Sequence, residues 1–140
     1  MRIVISGHTG FVGGHLQRNL KLHIPNHNLI PLNKEDFLSE NFNNKIQKED
    51  FIYHLAGVNR ADTDKQVFSS NVEINSSLLK HLEKINFKGK LYFSSSLQED
   101  SDSLYGKAKK NAREDFESLS KKLGFTFYSY VIRNFFCPFF

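Results

Sequence analysis

Three glycines at intervals of three residues, Gly7, Gly10 and Gly13, separate two differently patterned segments near the start of the chain. The segment before them, residues 2–6, is apolar and rich in β-branched side chains, which predicts a short strand. The segment after them, residues 11–23, repeats its apolar residues at helical spacing. A chain that passes from strand to helix through such a turn favours a fold in which strand–helix units are laid side by side.

The glycine turn is also suited to holding a phosphate. Glycine lets the backbone approach a ligand closely, and the backbone N–H groups serve as donors. The helix that follows adds about half a positive charge at its N-terminus. A P-loop is excluded, because no Lys-Ser or Lys-Thr pair follows the last glycine, and a purely structural turn is the alternative. We therefore expect a pyrophosphate to be bound by Gly7, His8, Thr9, Gly10, Phe11, Val12 and Gly13.

Strands and helices alternate along the rest of the chain. We predict strands at residues 2–6, 29–32, 51–55, 91–93 and 125–132. We predict helices at residues 11–23, 72–85 and 105–123, with a short helix or loop around residues 42–46. This alternation is typical of an α/β fold, a doubly wound parallel sheet with helices on both faces. The 140 residues contain no linker, so one domain, residues 1–140, is expected.

The composition excludes several other classes of protein. Cys137 is the only cysteine, which excludes an internally cross-linked secreted scaffold. No apolar run approaches the ~20 residues of a membrane span or forms a signal peptide, so we expect a cytoplasmic protein with no membrane partner. The net charge of +4 comes from dispersed basic residues mixed with 15 acidic ones, so no nucleic-acid partner is expected. No histidine has metal-ligand spacing with a cysteine or acidic partner, so no metal is expected.

A tyrosine and a lysine, Tyr105 and Lys109, stand four residues apart on the last predicted helix. This spacing places them on one face of the helix. A nearby ammonium lowers the pKa of a phenol, which can then exchange a proton with a carbonyl or alcohol oxygen. Residues 94–96 are three serines at the end of a predicted strand, where an open parallel sheet binds its ligands. A chance pair of solvated side chains is the alternative for any such pair taken alone.

The glycine turn, the Tyr-x-x-x-Lys pair and the segment His54-Leu55-Ala56-Gly57 together resemble the extended short-chain dehydrogenases/reductases, the nucleotide-sugar epimerase and dehydratase group. The resemblance implies a Rossmann-type sheet. It leaves open whether the protein is a homodimer. It assigns catalysis to Ser96, Tyr105 and Lys109, with Ser95 as the alternative to Ser96. It places a nicotinamide cofactor against Leu55, Ala56, Gly57, Asn71, Tyr105 and Lys109. His54 itself is expected to be a structural residue.

The end of the second predicted strand bears on the choice of cofactor. An acidic residue there would bind the ribose hydroxyl of NADH, whereas Asn33 and Lys34 occupy the region in this chain. Lys34 would attract a 2′-phosphate, which favours NADPH; a solvated loop charge is the alternative for this lysine. Glu35 and Asp36 follow closely and keep NADH open. By resemblance, Asp36 and Phe37 are expected to cradle the adenine.

The segment Val58-Asn59-Arg60 resembles a narrower group, the capsular-polysaccharide reductases that act on UDP-linked 2-acetamido-2,6-dideoxy-4-keto sugars. The resemblance implies an NAD(P)-dependent enzyme that reduces the 4-keto group of a UDP-linked deoxy sugar. It assigns binding of that UDP-sugar to Val58, Asn59, Arg60, Ser96 and Asn134. A nucleotide-sugar epimerase or dehydratase and a non-catalytic nucleotide-binding module are the alternatives.

The last residues of the chain suggest a longer parent protein. Phe139-Phe140 is an apolar end, whereas a complete domain usually ends in polar residues. We therefore expect an N-terminal fragment, truncated after about the sixth strand of the family's sheet and lacking the substrate-binding part and any C-terminal cupin domain. Residues 134–138 resemble the family's Asn-x-Phe-Gly-Pro segment, with Cys137 in place of the glycine. Arg133 stands where similar proteins have proline.

Overall fold

Five parallel strands form one sheet in the computed structural model, which describes residues 1–133. The strands are β1 Arg2–Ser6, β2 Asn28–Leu32, β3 Phe51–His54, β4 Lys90–Ser96 and β5 Thr126–Ile132. The connections contain α1 Phe11–His23, α2 Lys34–Leu38, α3 Asp64–Lys84, the 3₁₀ turn Leu97–Asp100 and α4 Leu104–Leu123. The predicted alternation of strands and helices is confirmed.

The strand order in the sheet is β2-β1-β3-β4-β5, and every pairing is parallel. The chain first moves from β1 outward to β2, then crosses to the other side of β1 and continues from β3 to β5. The direction of progress therefore reverses at β1. A parallel sheet opens a crevice outside the carboxyl ends of its strands at such a reversal, which here lies between β1 and β3.

The two faces of the sheet are covered by different helices. On one face, α3 and α4 pack against each other and against alternate residues of the strands. The buried core on that face includes Val4, Ile52, Leu91, Phe93, Leu78, Leu82 and Phe116. On the other face, Val12 and Leu16 of α1 lie beside Tyr53, Tyr92 and Tyr130. The expected doubly wound, Rossmann-type arrangement is confirmed.

Tyrosine rings form a row on the α1 face of the sheet. The ring centroids of Tyr53 and Tyr92 are 4.5 Å apart, and those of Tyr92 and Tyr128 are 5.0 Å apart. Burial raises the pKa of Tyr53 and of Tyr92. Tyr128 and Tyr130 are on β5 and remain 42% and 55% exposed. Among residues 1–133, β5 is one edge of the sheet and β2 the other, and most side chains of β5 face solvent.

The helix before β4 begins earlier than we predicted. It starts at Asp64 and not at residue 72, because Thr63 and Gln66 form a capping box. The Thr63 hydroxyl accepts from the Gln66 N–H at 3.2 Å, and the Gln66 side chain accepts from the Thr63 N–H at 3.2 Å. This pair satisfies backbone donors that would otherwise be exposed at the helix start.

The short helix between β2 and β3 is α2, residues 34–38, and of the two alternatives predicted for residues 42–46 the loop is confirmed. The Asp36 carboxylate accepts from the Asn33 N–H at 2.7 Å and starts the helix there. Residues 42–46 form turns, although Phe42 and Ile46 are buried in the core. The apolar pattern therefore identified buried residues of a loop, which periodicity alone cannot distinguish from a helix.

His54 at the end of β3 is completely buried and bonded through both ring nitrogens, which confirms its expected structural role. The Ser6 hydroxyl oxygen accepts from the N–H groups of Leu55 and Ala56, both at 3.1 Å. The hydroxyl then donates its own hydrogen to His54 Nδ1, which lies 2.7 Å from the hydroxyl oxygen. Because Nδ1 accepts this hydrogen bond, Nε2 carries the ring proton. Nε2 donates to Asn75 Oδ1 at 2.8 Å. Burial lowers the pKa of His54 to about 4.

We expect His54 to remain neutral in the folded chain down to about pH 5, with its proton on Nε2. The ordinary pKa of the ring is 6.5, so the unfolded chain binds this proton more readily than the folded chain between pH 6.5 and about 4. Folding stability should therefore fall as the pH drops through this range, by up to about 3 kcal/mol. Nitrogen-15 NMR of the imidazole reports the tautomer and the titration; a second proton taken up near pH 6.5 would contradict the assignment.

Gly106, in the first turn of α4, has no room for a side chain. A Cβ atom there would stand 1.8 Å from the carbonyl oxygen of Gln98. We expect Gly106→Ala to lower the free energy of unfolding by ~1–3 kcal/mol, because α4 and the 3₁₀ turn must move apart. Gly14→Ala in α1 is the matched control, since a Cβ there meets nothing within 4 Å, and it should raise stability by about 0.5–1 kcal/mol. Urea unfolding measures both; equal losses would contradict this reading of the packing.

Candidate active site

Two cavities meet at the carboxyl edge of the sheet, where the strand order reverses. The glycine-turn cavity has a volume of about 610 Å³, and its walls include Gly7, His8, Thr9, Gly10, Asn33, Lys34, Glu35, Phe37, Ala56 and Val58. The tyrosine cavity has a volume of about 500 Å³, and its walls include Val12, Asn59, Arg60, Ser94, Ser95, Ser96, Tyr105, Lys109 and Arg133. Leu55 and Gly57 line both cavities, which therefore adjoin at the loop after β3.

The glycine turn is shaped by close backbone packing. Gly7 has a φ of +68°, and a Cβ there would stand 2.8 Å from the backbone nitrogen of Ala56. A Cβ at Gly13 would stand 2.2 Å from the carbonyl oxygen of Gly7. Gly10 is exposed at the start of α1 and lines the cavity, so it is the glycine that a ligand would meet. Of the other predicted phosphate-binding residues, Phe11 is 41% exposed, with its ring against His15.

The far end of the glycine-turn cavity is formed by the end of β2 and by α2. Asn33, Lys34 and Phe37 line it, with Glu35 beside them. Asp36 is not among the lining residues, because its carboxylate is 2.8 Å from the Lys45 ammonium and caps α2 at the same time. The cavity thus meets one cation and one anion in this region, and the buried Asp36 serves the local fold.

The loop after β3 is fixed by side chains from β1 and α3. Ser6 binds the N–H groups of Leu55 and Ala56, as described above. Asn71 is buried in α3; its Oδ1 accepts from the Val58 N–H at 3.1 Å and its Nδ2 donates to the Val58 carbonyl at 2.6 Å. A Cβ at Gly57 would stand 3.2 Å from both Asn71 Oδ1 and Lys109 Nζ. Asn71 therefore holds the loop from behind and does not line either cavity.

The predicted substrate-binding residues are divided between the two cavities. Asn59 and Arg60 are exposed and line the tyrosine cavity, together with Ser96. Val58 lines the glycine-turn cavity instead. Asn134, like the rest of the Asn-x-Phe-Gly-Pro-like segment, Cys137 and Phe139-Phe140, lies outside the described residues.

Lys109 is the most unusual side chain of the tyrosine cavity, because only 3% of it is exposed. Its ammonium donates to the Ser94 carbonyl at 2.9 Å and lies 5.0 Å from the ring centroid of Phe93. It lies 5.9 Å from the ring centroid of Tyr105, one helical turn away. Burial lowers the pKa of Lys109 to about 8. A charge in this position is held by one carbonyl and two aromatic rings.

The pKa of Tyr105 moves in the opposite direction to the one we expected. Burial raises the pKa of its half-buried phenol above 10.0. The Lys109 ammonium lies over the Tyr105 ring and bonds to the Ser94 carbonyl, so it does not offset the loss of solvation of the phenol. In the protein without ligands, Tyr105 is therefore firmly protonated at neutral pH.

The three serines differ in what their hydroxyls do. They are the last three residues of β4, as expected from a strand that ends in the serines. The Ser94 hydroxyl donates to the His54 carbonyl at 3.3 Å, and the Ser95 hydroxyl donates to the Glu99 carboxylate. The Ser96 hydroxyl accepts from the Gln98 N–H at 3.2 Å, which leaves its own proton available to a ligand. Among the hydrogen bonds within residues 1–133, the Ser96 proton has no acceptor, which distinguishes Ser96 from the other two serines.

Sequence reasoning missed three contributors to the site. Arg133 lines the tyrosine cavity at the end of β5, a position that the carboxyl-edge rule for parallel sheets would have identified. The backbone carbonyl of Ser94 binds Lys109, and no sequence pattern marks a carbonyl. Glu99 binds both Ser95 and Arg113 from the 3₁₀ turn. Each of these contacts joins segments that are distant in sequence or unpatterned.

Within residues 1–133, no group of three or more histidine, cysteine, aspartate or glutamate side chains is placed to hold a metal ion. No helix in that range combines the length and the apolar character needed to span a bilayer.

Comparison with known proteins identifies the family. Residues 3–128 match the model of the NAD dependent epimerase/dehydratase family. A UDP-2-acetamido-2,6-beta-L-arabino-hexul-4-ose reductase from Pseudomonas aeruginosa is 30% identical over 139 residues, which cover 97% of this chain and 36% of that protein. The chain therefore spans about a third of the length of this curated relative.

Two solved structures share the fold of this chain. The capsular polysaccharide assembling protein CapF from Staphylococcus aureus matches with a TM-score of 0.74 and 33% identity, over 97% of this chain and 36% of that one. The structure of RMD from Pseudomonas aeruginosa complexed with NADPH has a TM-score of 0.79 at 19% identity, over 95% of this chain and 54% of that one, and shows a shared fold. Because the family model matches residues 3–128, which are most of the chain, this chain belongs to the NAD dependent epimerase/dehydratase family.

Proposed function

We propose that this chain is the cofactor-binding and catalytic part of an NADP(H)-dependent reductase that acts on the 4-keto group of a UDP-linked deoxy sugar. The observation that carries the proposal is the shared tyrosine cavity, in which Ser96, Tyr105 and Lys109 line one space. That space adjoins the glycine-turn cavity through Leu55 and Gly57. A dinucleotide lying across both would bring its nicotinamide end to the tyrosine.

The glycine-turn cavity fits a dinucleotide on structural grounds. Side chains at Gly7 or Gly13 would collide with backbone, and the exposed Gly10 leaves the start of α1 open to a pyrophosphate. Phe37 offers an apolar wall for an adenine. Lys34 lines the same end and would attract a 2′-phosphate, which supports NADPH; Glu35 beside it keeps NADH open.

The side chains of the tyrosine cavity divide the work of a carbonyl reduction. The bound cofactor supplies the hydride. Tyr105 gives its proton to the carbonyl oxygen, and its raised pKa keeps the phenol in the protonated form that reduction consumes. The Lys109 ammonium stabilises the phenolate that is left, and the uncommitted proton of Ser96 binds the same substrate oxygen. The ketone gains one hydride and one proton and becomes an alcohol.

The charges around the tyrosine cavity support an anionic substrate. Its described lining residues include the cations Arg60, Lys109 and Arg133 and no aspartate or glutamate. The two arginines are exposed, as a group that meets a diphosphate from solvent would be. The similar Pseudomonas protein is named as a reductase of a UDP-linked 4-keto sugar, and Val58-Asn59-Arg60 resembles that group of enzymes. We therefore propose a UDP-sugar as the substrate.

We expect Tyr105→Phe to lower turnover by roughly 10²–10⁴-fold, because the substrate oxygen loses its proton donor. NADPH affinity should stay within about twofold, because the phenyl ring keeps its packing. Turnover is followed as NADPH consumption with a UDP-linked 4-keto-6-deoxy sugar, and affinity by calorimetry on the same preparation.

Tyr128→Phe on the exposed edge strand is the matched control and should keep full turnover. Unchanged turnover in Tyr105→Phe would remove this residue from the mechanism. NADPH binding without any turnover in the unaltered chain would favour the alternative, a non-catalytic nucleotide-binding module.

We expect NADPH affinity to fall as the pH rises through about 8. The ammonium form of Lys109 is present below its pKa of about 8 and is lost above it, so a cofactor that contacts this charge binds progressively less well at higher pH. Lys109→Met should weaken binding and remove this pH dependence, whereas Lys110→Gln, an exposed neighbour, should leave it unchanged. Calorimetric titrations at pH 7, 8 and 9 make the comparison. An identical pH dependence in Lys109→Met would show that another group titrates.

A further inference from the structure

Glu99 joins three parts of the carboxyl edge of the sheet: the end of β4, the 3₁₀ turn and α4. It lies in the 3₁₀ turn and is 13% exposed. One carboxylate oxygen accepts from the Ser95 hydroxyl at the end of β4. The other accepts from Nε of Arg113 on α4 at 2.8 Å. Its carboxylate therefore connects the serine end of β4 with the helix that carries Tyr105 and Lys109.

Arg113 has other acidic partners besides Glu99. Arg113 also lies 4.0 Å from Glu114 and 3.7 Å from Glu117, both on its own helix. Those two carboxylates are about half exposed, whereas Glu99 is nearly buried between the strand end and α4. An arginine that needed only a surface partner already has two, so the position of Glu99 calls for a further explanation.

Glu99 also bears on the charge of Lys109. His54 on β3, Tyr105 on α4 and Glu99 in the 3₁₀ turn interact with this ammonium, and Arg113 is one turn further along α4. His54 is neutral, Tyr105 is protonated and Arg113 is a cation, so none of these three favours a positive charge at Lys109. Glu99 raises the pKa of Lys109, against the larger effect of burial.

The other charged residues that line the tyrosine cavity are cations. Arg60 and Arg133 are its other charged lining residues, and both disfavour a further positive charge. Among the described residues around Lys109, Glu99 is thus the group whose charge opposes the loss of its proton.

We propose that Glu99 is a positioning residue of this site, whose carboxylate fixes the serine end of β4 against α4 and keeps the Lys109 ammonium charged. The first role follows from its bonds to Ser95 and Arg113. Because Ser96 is the next residue after Ser95, the same anchor fixes the backbone that carries the Ser96 hydroxyl at the cavity wall. The second role follows from its place: Glu99 binds the Ser95 hydroxyl while Lys109 binds the carbonyl of the neighbouring Ser94, in a largely desolvated cluster where charges act on each other strongly.

The test is to titrate Lys109 directly in the ligand-free chain, by NMR of a chain with labelled lysine side chains. We expect Glu99→Gln to lower the pKa of Lys109 by roughly half a unit or more from about 8, because an opposing charge nearby is removed. Glu117→Gln is the matched control: it also removes a carboxylate that pairs with Arg113, but on the solvent side of α4, and should leave Lys109 unchanged. Equal shifts in the two variants, or no shift in Glu99→Gln, would overturn the proposal.

A second variant covers a failure of Glu99→Gln to fold. Arg113→Gln leaves Glu99 in place without its ion pair, so we expect the pKa of Lys109 to rise above about 8. An unchanged or lowered value would overturn the proposal. Both titrations need neither cofactor nor substrate, so they can fail independently of the proposed reductase activity.

A consequence for catalysis rests on the proposed function. In Glu99→Gln, the fall of NADPH affinity with rising pH should begin at lower pH than in the unaltered protein. Below that pH range, kcat should fall by a larger factor than the KM for NADPH rises, because Ser96 is misplaced while the glycine turn is untouched. A loss confined to stability, with the pH profile and the kcat-to-KM split unchanged, would show that Glu99 has a structural role only.

Discussion

The Ser6 hydroxyl holds together the carboxyl ends of β1 and β3, where the strand order reverses and the crevice of the sheet opens. It accepts hydrogen bonds from the Leu55 and Ala56 N–H groups and donates one to His54. His54 in turn donates a hydrogen bond to Asn75 of α3. The loop that separates the two cavities is therefore tied to a strand on one side and a helix on the other. An imidazole that charged easily would break this arrangement, and complete burial keeps it neutral.

The second constraint is a buried ammonium beside a half-buried phenol. A charged lysine at 3% exposure is costly unless its donors are satisfied, and Lys109 has the Ser94 carbonyl and two aromatic rings. The same desolvation lowers the pKa of Lys109 and raises that of Tyr105. Burial thus brings the pKa of the lysine close to neutral pH and keeps the tyrosine protonated. A protonated tyrosine is the form from which a carbonyl reduction starts.

The sequence predicted much of this fold because most of its signals are local. The strand and helix around the glycine turn were identified at nearly their observed bounds, and the end of α4 at Gly124, whose φ is +78°, follows from glycine's access to the left-handed region. Thr63 and Gln66 have the spacing of a capping box, but the helix start was predicted from the apolar pattern instead. Leu22 fitted the helical spacing of α1 yet is 76% exposed, because periodicity does not tell where a helix leaves its neighbours.

Which residues share the site was partly predictable and partly not. The spacing of Tyr105 and Lys109 on one helix face, and the arrival of the serines at a strand end, needed only the geometry of helices and parallel sheets. The engagement of Asp36 by Lys45, the bond from Ser95 to Glu99 and the arrival of Arg133 in the same cavity depend on how loops return to the sheet. The first two join residues only nine and four positions apart, but they do so through loops and turns that no periodic pattern encodes.

By itself, the sequence determined the class of the fold, the glycine turn between a strand and a helix, and the pairing of a phenol with an amine four residues apart. These depend on backbone freedom and on the repeats of helix and strand, which are properties of neighbouring residues. Only the tertiary structure decided which serine hydroxyl keeps a free proton, which carboxylate faces the buried lysine and in which direction each pKa moves. Those outcomes depend on desolvation and on partners brought from other segments, and both exist only once the chain has folded.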